Sequence, residues 1–161
     1  DLKSSYRKDE THINGMTLGA FTGYFRERQS LKNITHPYDD YKAHIVLGVI
    51  YDTVSDIDER KSYTLEQLGE IVSVIKNFQF FVQEKWQIAI DRPGSGNTKN
   101  IGSVSKIEDL VNGNGTFAEL GEDVFNDYWM YYLTADMAKK AELPKPYYSN
   151  LAEYKQFKHM D

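Results

Sequence analysis

The sequence contains no cysteine, which excludes disulfide frameworks, thiolate zinc sites and cysteine nucleophiles together. That absence agrees with a bacterial cytoplasmic location. No apolar stretch approaches the roughly 18 residues that a membrane-spanning helix needs. The chain does not begin with the charged and apolar regions of a signal peptide, nor with an initiating Met. A missing initiating Met fits an expectation that the chain is truncated at its N-terminus. Excess positive charge is also lacking: the formal net charge is −5. This argues against indiscriminate coating of nucleic acid, which depends mostly on Lys and Arg neutralising phosphates. There is no internal repeat, low-complexity tract or linker. Gly-Lys-Ser/Thr is absent, so no phosphate-binding P-loop exists. A serine nucleophile at Gly94-Ser95-Gly96 fails because the nucleophile elbow needs Gly-x-Ser-x-Gly between strand and helix. The four histidines do not fall at ligand spacing on a common element, and His44, on the flank of an apolar run, reads as structural.

What is present suffices for one core. With 161 residues, 40% hydrophobic and 14% aromatic, a single domain over residues 1–161 is expected. Charge is unevenly spread. Residues 1–36 hold six Lys/Arg against four acids, and residues 84–106 hold four against two, so two segments are locally basic. The acidic excess lies elsewhere, notably in 52–59 and 119–127, and reads as solvated faces or helix starts.

Periodicity gives a coarse map. Residues 1–8 read as a strand and 9–15 as a polar turn ending in Gly, followed by a second extended or mixed segment. The continuous run Ile45-Val46-Leu47-Gly48-Val49-Ile50-Tyr51 predicts a strand buried on both faces at the sheet centre. A charged connection is expected over 52–61, a short strand and turn over 62–69, and an antiparallel pair over 78–90 turning near Glu84-Lys85. Val124, Phe125, Tyr128, Trp129, Tyr132 and Leu133 recur at helical spacing behind Glu122 and Asp123, which predicts an amphipathic helix. Its aromatic stripe reads as core packing rather than a base-stacking surface. Pro144 and Pro146 close that region, and a further short helix is possible beyond Ser149.

Two motifs carry chemistry. Asp1 and Lys3, two apart on a strand, project from the same face, so one can hold a metal ion while the other reaches the same phosphate. The stretch Asp91-Arg92-Pro93-Gly94-Ser95-Gly96-Asn97-Thr98-Lys99-Asn100-Ile101-Gly102-Ser103 holds a glycine loop in which backbone groups can approach a ligand and Asn and Thr add donors and acceptors. A solvated strand end and a plain surface turn use the same residues.

Taken in order, Asp1-Leu2-Lys3-Ser4-Ser5-Tyr6, Thr17-Leu18-Gly19-Ala20-Phe21-Thr22, Pro37-Tyr38-Asp39-Asp40-Tyr41-Lys42-Ala43-His44, Gln83-Glu84-Lys85-Trp86-Gln87-Ile88-Ala89, the glycine loop and Asp127-Tyr128-Trp129 carry a resemblance. The chain resembles the EcoRV-like type II restriction endonucleases, a branch of the Asp…Asp/Glu-x-Lys nuclease superfamily, from Asp1 almost to its C-terminus. The resemblance implies an α/β (α+β) fold: a restriction-endonuclease-like core of mixed β-sheet flanked by helices, lacking its N-terminal part. It implies a Mg²⁺-dependent homodimer that cuts a short palindrome in double-stranded DNA, since a two-fold enzyme presents one site to each strand.

The same resemblance assigns residues. Asp1 is the metal ligand and Lys3 the cation at the attacked phosphate. The family's second acidic residue lies on a strand upstream, so the chain as given is expected to bind Mg²⁺ weakly and not to cut DNA. The dimer contacts are likewise expected in the absent part. The loop Gly94, Ser95, Gly96, Asn97, Thr98 and Lys99 is expected in the major groove, with the Asn97 amide paired to adenine. Lys99 stands where a threonine is expected and would replace a neutral contact by a phosphate clamp. Ser4 and Ser5 match hydroxyls near DNA, while Thr17, Thr22 and Lys32 match phosphate-contacting positions. Gly23 stands where the family can offer a hydroxyl. Two rival readings remain open: a catalytically dead DNA-binding remnant, and a small-molecule or nucleotide-binding module that uses the glycine loop as an anion nest.

Overall fold

Alternation of side chains builds the first sheet. In β1 (Leu2–Tyr6) Lys3 and Ser5 turn inward, while Leu2, Ser4 and Tyr6 face out. The computed structural model describes residues 1–26, 40–58, 60–94 and 99–160. Within them β1 pairs in parallel with β3 (Ile45–Thr53), which pairs antiparallel with β4 (Ile75–Glu84), so β3 is central, as its apolar run predicts. Burial on both faces is not observed. Val46 and Ile50 are fully buried on the inner face, whereas Ile45 and Leu47 are each 42% exposed. Leu47 stands between Leu2 and Val82 in the ladder, and both of these are more exposed still. The run marks the strand; what covers its second face is a tertiary matter that β-branched composition does not encode.

Two further expectations are corrected by local capping. Residues 62–69 do not make a strand: a 3-10 helix occupies Leu65–Glu70, closed at its start by the Thr64 N–H donating to Gln67 Oε1 at 3.2 Å. Residues 78–90 do not fold back on themselves either. β4 runs through Glu84, one helical turn α1 (Lys85–Ile88) follows, and β5 (Ala89–Pro93) leaves for a different sheet. The Glu84 N–H donates to Gln87 Oε1 at 3.3 Å and the Trp86 indole donates to Glu84 Oε2 at 2.7 Å. These side chains close a helix start where alternation alone suggested a hairpin.

The second sheet is antiparallel, with β2 (Thr17–Ala20), β6 (Asn100–Ser103) and β5 in the order β2-β6-β5. β5 and β6 form the hairpin that carries the glycine loop, and the Gly94 N–H donates to the Asn100 carbonyl at 2.8 Å at its base.

Helices α2 (Ile107–Asn112), α3 (Glu122–Tyr131), α4 (Ala135–Lys140) and α5 (Leu151–Lys158) flank the sheets. α3 is the amphipathic helix expected, with Glu122 and Asp123 in its first turn and Phe125, Tyr128 and Trp129 fully buried. Complete burial of a side chain such as Phe125 stabilises by about 1.5–3 kcal/mol. The aromatic stripe is core: Trp129 lies 5.1 Å from Phe21 and Tyr128 lies 5.0 Å from Tyr148, centroid to centroid. The Tyr128 hydroxyl donates to the Asp91 carbonyl, which ties α3 to the strand leading into the glycine loop. The short helix after Ser149 is α5, capped by Asn150 accepting the Glu153 N–H at 2.9 Å. The whole is a mixed α+β arrangement of one mixed and one antiparallel sheet flanked by helices. Among the described residues no helix is long and apolar enough to cross a membrane.

Candidate active site

The parallel ladder fixes where β1 begins. The Asp1 amine donates to the Ile45 carbonyl at 2.7 Å, and the Leu47 N–H donates to the Asp1 carbonyl at 2.9 Å. Asp1 and Lys3 therefore share a strand face, as their spacing predicts. Lys3 is half-buried, and burial lowers its amine below the usual lysine value.

A residue outside the motif joins them. Lys85, the first residue of α1, is only 3% exposed and places Nζ 3.2 Å from Asp1 Oδ2. Its N–H donates to the His44 carbonyl at 2.8 Å, and its ammonium lies 4.0 Å from the centre of the Tyr24 ring. Burial pushes the Lys85 amine down to about 7, and the charge of Lys3 pushes the same way. Gly19 makes room for Tyr24: its φ is +102°, and a Cβ there would collide with the Tyr24 ring and hydroxyl. The sequence places Lys85 only in a locally basic segment and at an expected hairpin turn, with no role at the site. With Gln83, Glu84 and Gln87 around it, Lys85 carries no signal in the sequence that sets it apart from a solvated lysine.

In front of Lys3 opens a cleft of about 920 Å³, lined among others by Lys3, Ser4, Thr17, Arg92, Gly94 and Lys106. One wall is the start of β1 and the other is the β5–β6 hairpin, so Lys3 and the base of the glycine loop share one opening, which Asp1 does not itself line. Among the described residues three cations border it: Lys3, Arg92 and Lys106. Lys106 is partly committed, with Nζ 2.9 Å from Glu108 Oε2, and that contact raises its amine. Gly94 is needed at the rim, because a Cβ there would meet Thr17 Cγ2 at 2.7 Å.

The remaining expected residues divide. Ser4 and Thr17 line the cleft, and Gly94 stands at its edge. Ser5 shares the inner face but is buried, its hydroxyl donating to the Gly15 carbonyl at 2.8 Å. Thr22 is buried at the first position of a short π-helix, Thr22–Arg26. Lys99 is exposed, and its carbonyl accepts the Phe21 N–H at 3.0 Å. Ser95, Gly96, Asn97, Thr98 and Lys32 lie outside the described residues. His44 contributes its backbone, and its ring packs 5.4 Å from Tyr41.

Among the described residues no three His, Cys, Asp or Glu side chains converge as a metal cage. Asp1 offers a single carboxylate, with Oδ2 against Lys85. A small hard cation that keeps several waters and binds through one or two carboxylates plus substrate phosphate can use Asp1 as one ligand. The residues fit that role and no fuller one.

A family model described as restriction endonuclease EcoRV matches residues 1–159 of the chain. The chain is also 38% identical over 157 residues to the type II restriction enzyme EcoRV of Escherichia coli. That similarity covers 96% of this chain and 60% of the relative's length.

Proposed function

The chain belongs to the EcoRV restriction endonuclease family, and from that membership we propose that it acts as the catalytic and DNA-recognition domain of a type II site-specific endonuclease. In this reading the protein works as a homodimer that hydrolyses phosphodiester bonds within a short palindrome of double-stranded DNA, with Mg²⁺ as its metal. The observation that supports the proposal is Lys3, two residues from Asp1, lining a cleft whose far wall is the glycine-loop hairpin.

Each residue then has a task. Asp1 holds the metal ion, which when bound supplies an activated water and neutralises developing charge. Lys3, at the cleft wall, sets an ammonium against the attacked phosphate and stabilises the charge that grows on it. Ser4 and Thr17 offer hydroxyls to the DNA backbone, with Lys32 as a further contact of the family pattern; Ser5 and Thr22 are buried and support the site from behind. The loop from Gly94 to Lys99 reads base edges, Asn97 by a paired amide and the glycines by close backbone approach. With one carboxylate in the described set, this chain alone is expected to hold Mg²⁺ weakly. Cleavage in the proposal depends on a second acidic ligand, which the family pattern places on a strand before the Asp-x-Lys.

The test is to incubate the full protein with long duplex DNA and Mg²⁺ and to look for discrete fragments. Lys3→Ala is expected to abolish cleavage while sequence-specific binding in Ca²⁺ persists. Specific binding without cleavage by the parent protein, in Mg²⁺ or Mn²⁺, would leave a DNA-binding remnant in place of an enzyme.

A further inference from the structure

Lys85 takes no part in the tasks above, yet among the described residues it is the most buried cation near Asp1, at 3% exposure. A lysine so placed gives up its hydration, and it persists only where a partner and a fixed frame compensate. The frame holds it at both ends. The backbone is held by the His44 carbonyl, the helical turn by the Glu84 and Gln87 side chains, and the ammonium by the Tyr24 face on one side and Asp1 on the other. The Asp1 side chain is less enclosed: it is 30% exposed, and two torsions are available to its carboxylate.

We infer that Lys85 is a positioning residue of the nuclease site, whose side chain holds Asp1 Oδ2 and so fixes Oδ1 as the oxygen offered to a divalent cation. This rests on the reading of Asp1 as a metal ligand. Groups that orient a ligand from behind typically change metal affinity about 10–100-fold when removed. Lys3 cannot substitute, because it lines the cleft where substrate enters, whereas Lys85 approaches from the protein interior. The two lysines therefore divide the labour: one faces the phosphate, the other fixes the carboxylate. A cation near a metal ligand also repels the metal, so the sign of the effect is itself diagnostic.

The experiment compares Mn²⁺ affinity of the full parent protein and its Lys85→Met variant by calorimetry in the absence of DNA, with melting temperature as the folding control. Weakening of about 10–100-fold is expected in a folded variant. Unchanged or tighter Mn²⁺ binding overturns the positioning role, tighter binding meaning that the ammonium competes with the metal. If Lys85→Met does not fold, the contact is read from the other side. The Lys85 Cε resonance is compared between the parent and Asp1→Asn, and it is expected to shift on loss of the carboxylate. An unmoved resonance overturns the inference. The two readings fail separately: cleavage by the parent with a Lys85-independent Mn²⁺ affinity removes only this one. Lys85-dependent Mn²⁺ binding by a parent that never cuts DNA removes the nuclease reading and leaves this one.

Discussion

At the scale of single residues, Asp9 shows how a turn is made rigid by one carboxylate. Its Oδ1 accepts the Thr11 N–H, the Thr11 hydroxyl and the His12 N–H, each at 2.8 Å. These bonds favour the charged form, led by that from the Thr11 backbone, and hold the carboxyl at about 2 against an ordinary 3.8. The folded value lies below the unfolded one, so the contribution to stability is complete above pH 3.8 and lost as pH falls through about 2. Asp9 is exposed, so the effect is local. An NMR titration of the Asp9 carboxyl is expected to give a midpoint near 2, and Asp9→Asn is expected to remove part of the loss of melting temperature between pH 4 and 2. A midpoint near 3.8 would mean that the turn does not hold in solution. The turn matters to the site because it returns the chain from β1 toward Gly15, which anchors Ser5 and with it the strand that bears Asp1 and Lys3.

At the scale of elements, Gly19 links β2 to the buried lysine. Its positive φ and the Tyr24 ring packed against its α-carbon leave no room for a side chain. Gly19→Ala is expected to displace Tyr24 and destabilise by about 1–3 kcal/mol, read as a lower urea midpoint with unchanged slope. An unaltered midpoint would show that Tyr24 does not sit over β2. Position 19 also illustrates what could be read from the sequence and what could not. β1 and α3 were legible because periods of 2 and 3.6 are written directly into Lys3/Ser5 and Phe125/Trp129. The Asp-x-Lys pair was legible for the same reason, since strand spacing alone puts Asp1 and Lys3 together. β3 was legible as a central strand, but not the exposure of Ile45 and Leu47, because composition says nothing about which face finds a cover. The turn α1 was not legible, because Glu84, Trp86 and Gln87 decide it through bonds that compete with strand alternation. Lys85 was missed for a related reason: its partner Asp1 is remote in sequence, and only the fold reveals the pairing.

At the scale of the whole molecule, a net charge of −5 and the proposed DNA substrate are compatible only if charge is segregated. Among the described residues, Lys3, Arg92 and Lys106 border the cleft with Asp109 as its acidic member, while Asp56, Asp58 and Asp123 are exposed on segments that do not line it. The cations are not equivalent. Lys106 already sits 2.9 Å from the Glu108 carboxylate, so a phosphate arriving there must compete with an existing partner, while Arg92 stands exposed on β5 beside the glycine loop. Arg92→Ala is therefore expected to weaken DNA binding in Ca²⁺ nearly equally on specific and unrelated duplexes, and to reduce the slope of log affinity against log salt by about 1. Lys106→Ala is expected to change that slope less, because part of its charge is spent on Glu108 in the free protein. Fluorescence anisotropy across a salt series separates the two. If Lys106→Ala lowered the slope as much as Arg92→Ala, the ion pair with Glu108 would be broken on binding and both cations would be phosphate contacts of equal weight. If neither variant altered it, the duplex would not lie along this cleft, and the nuclease reading would lose its geometry.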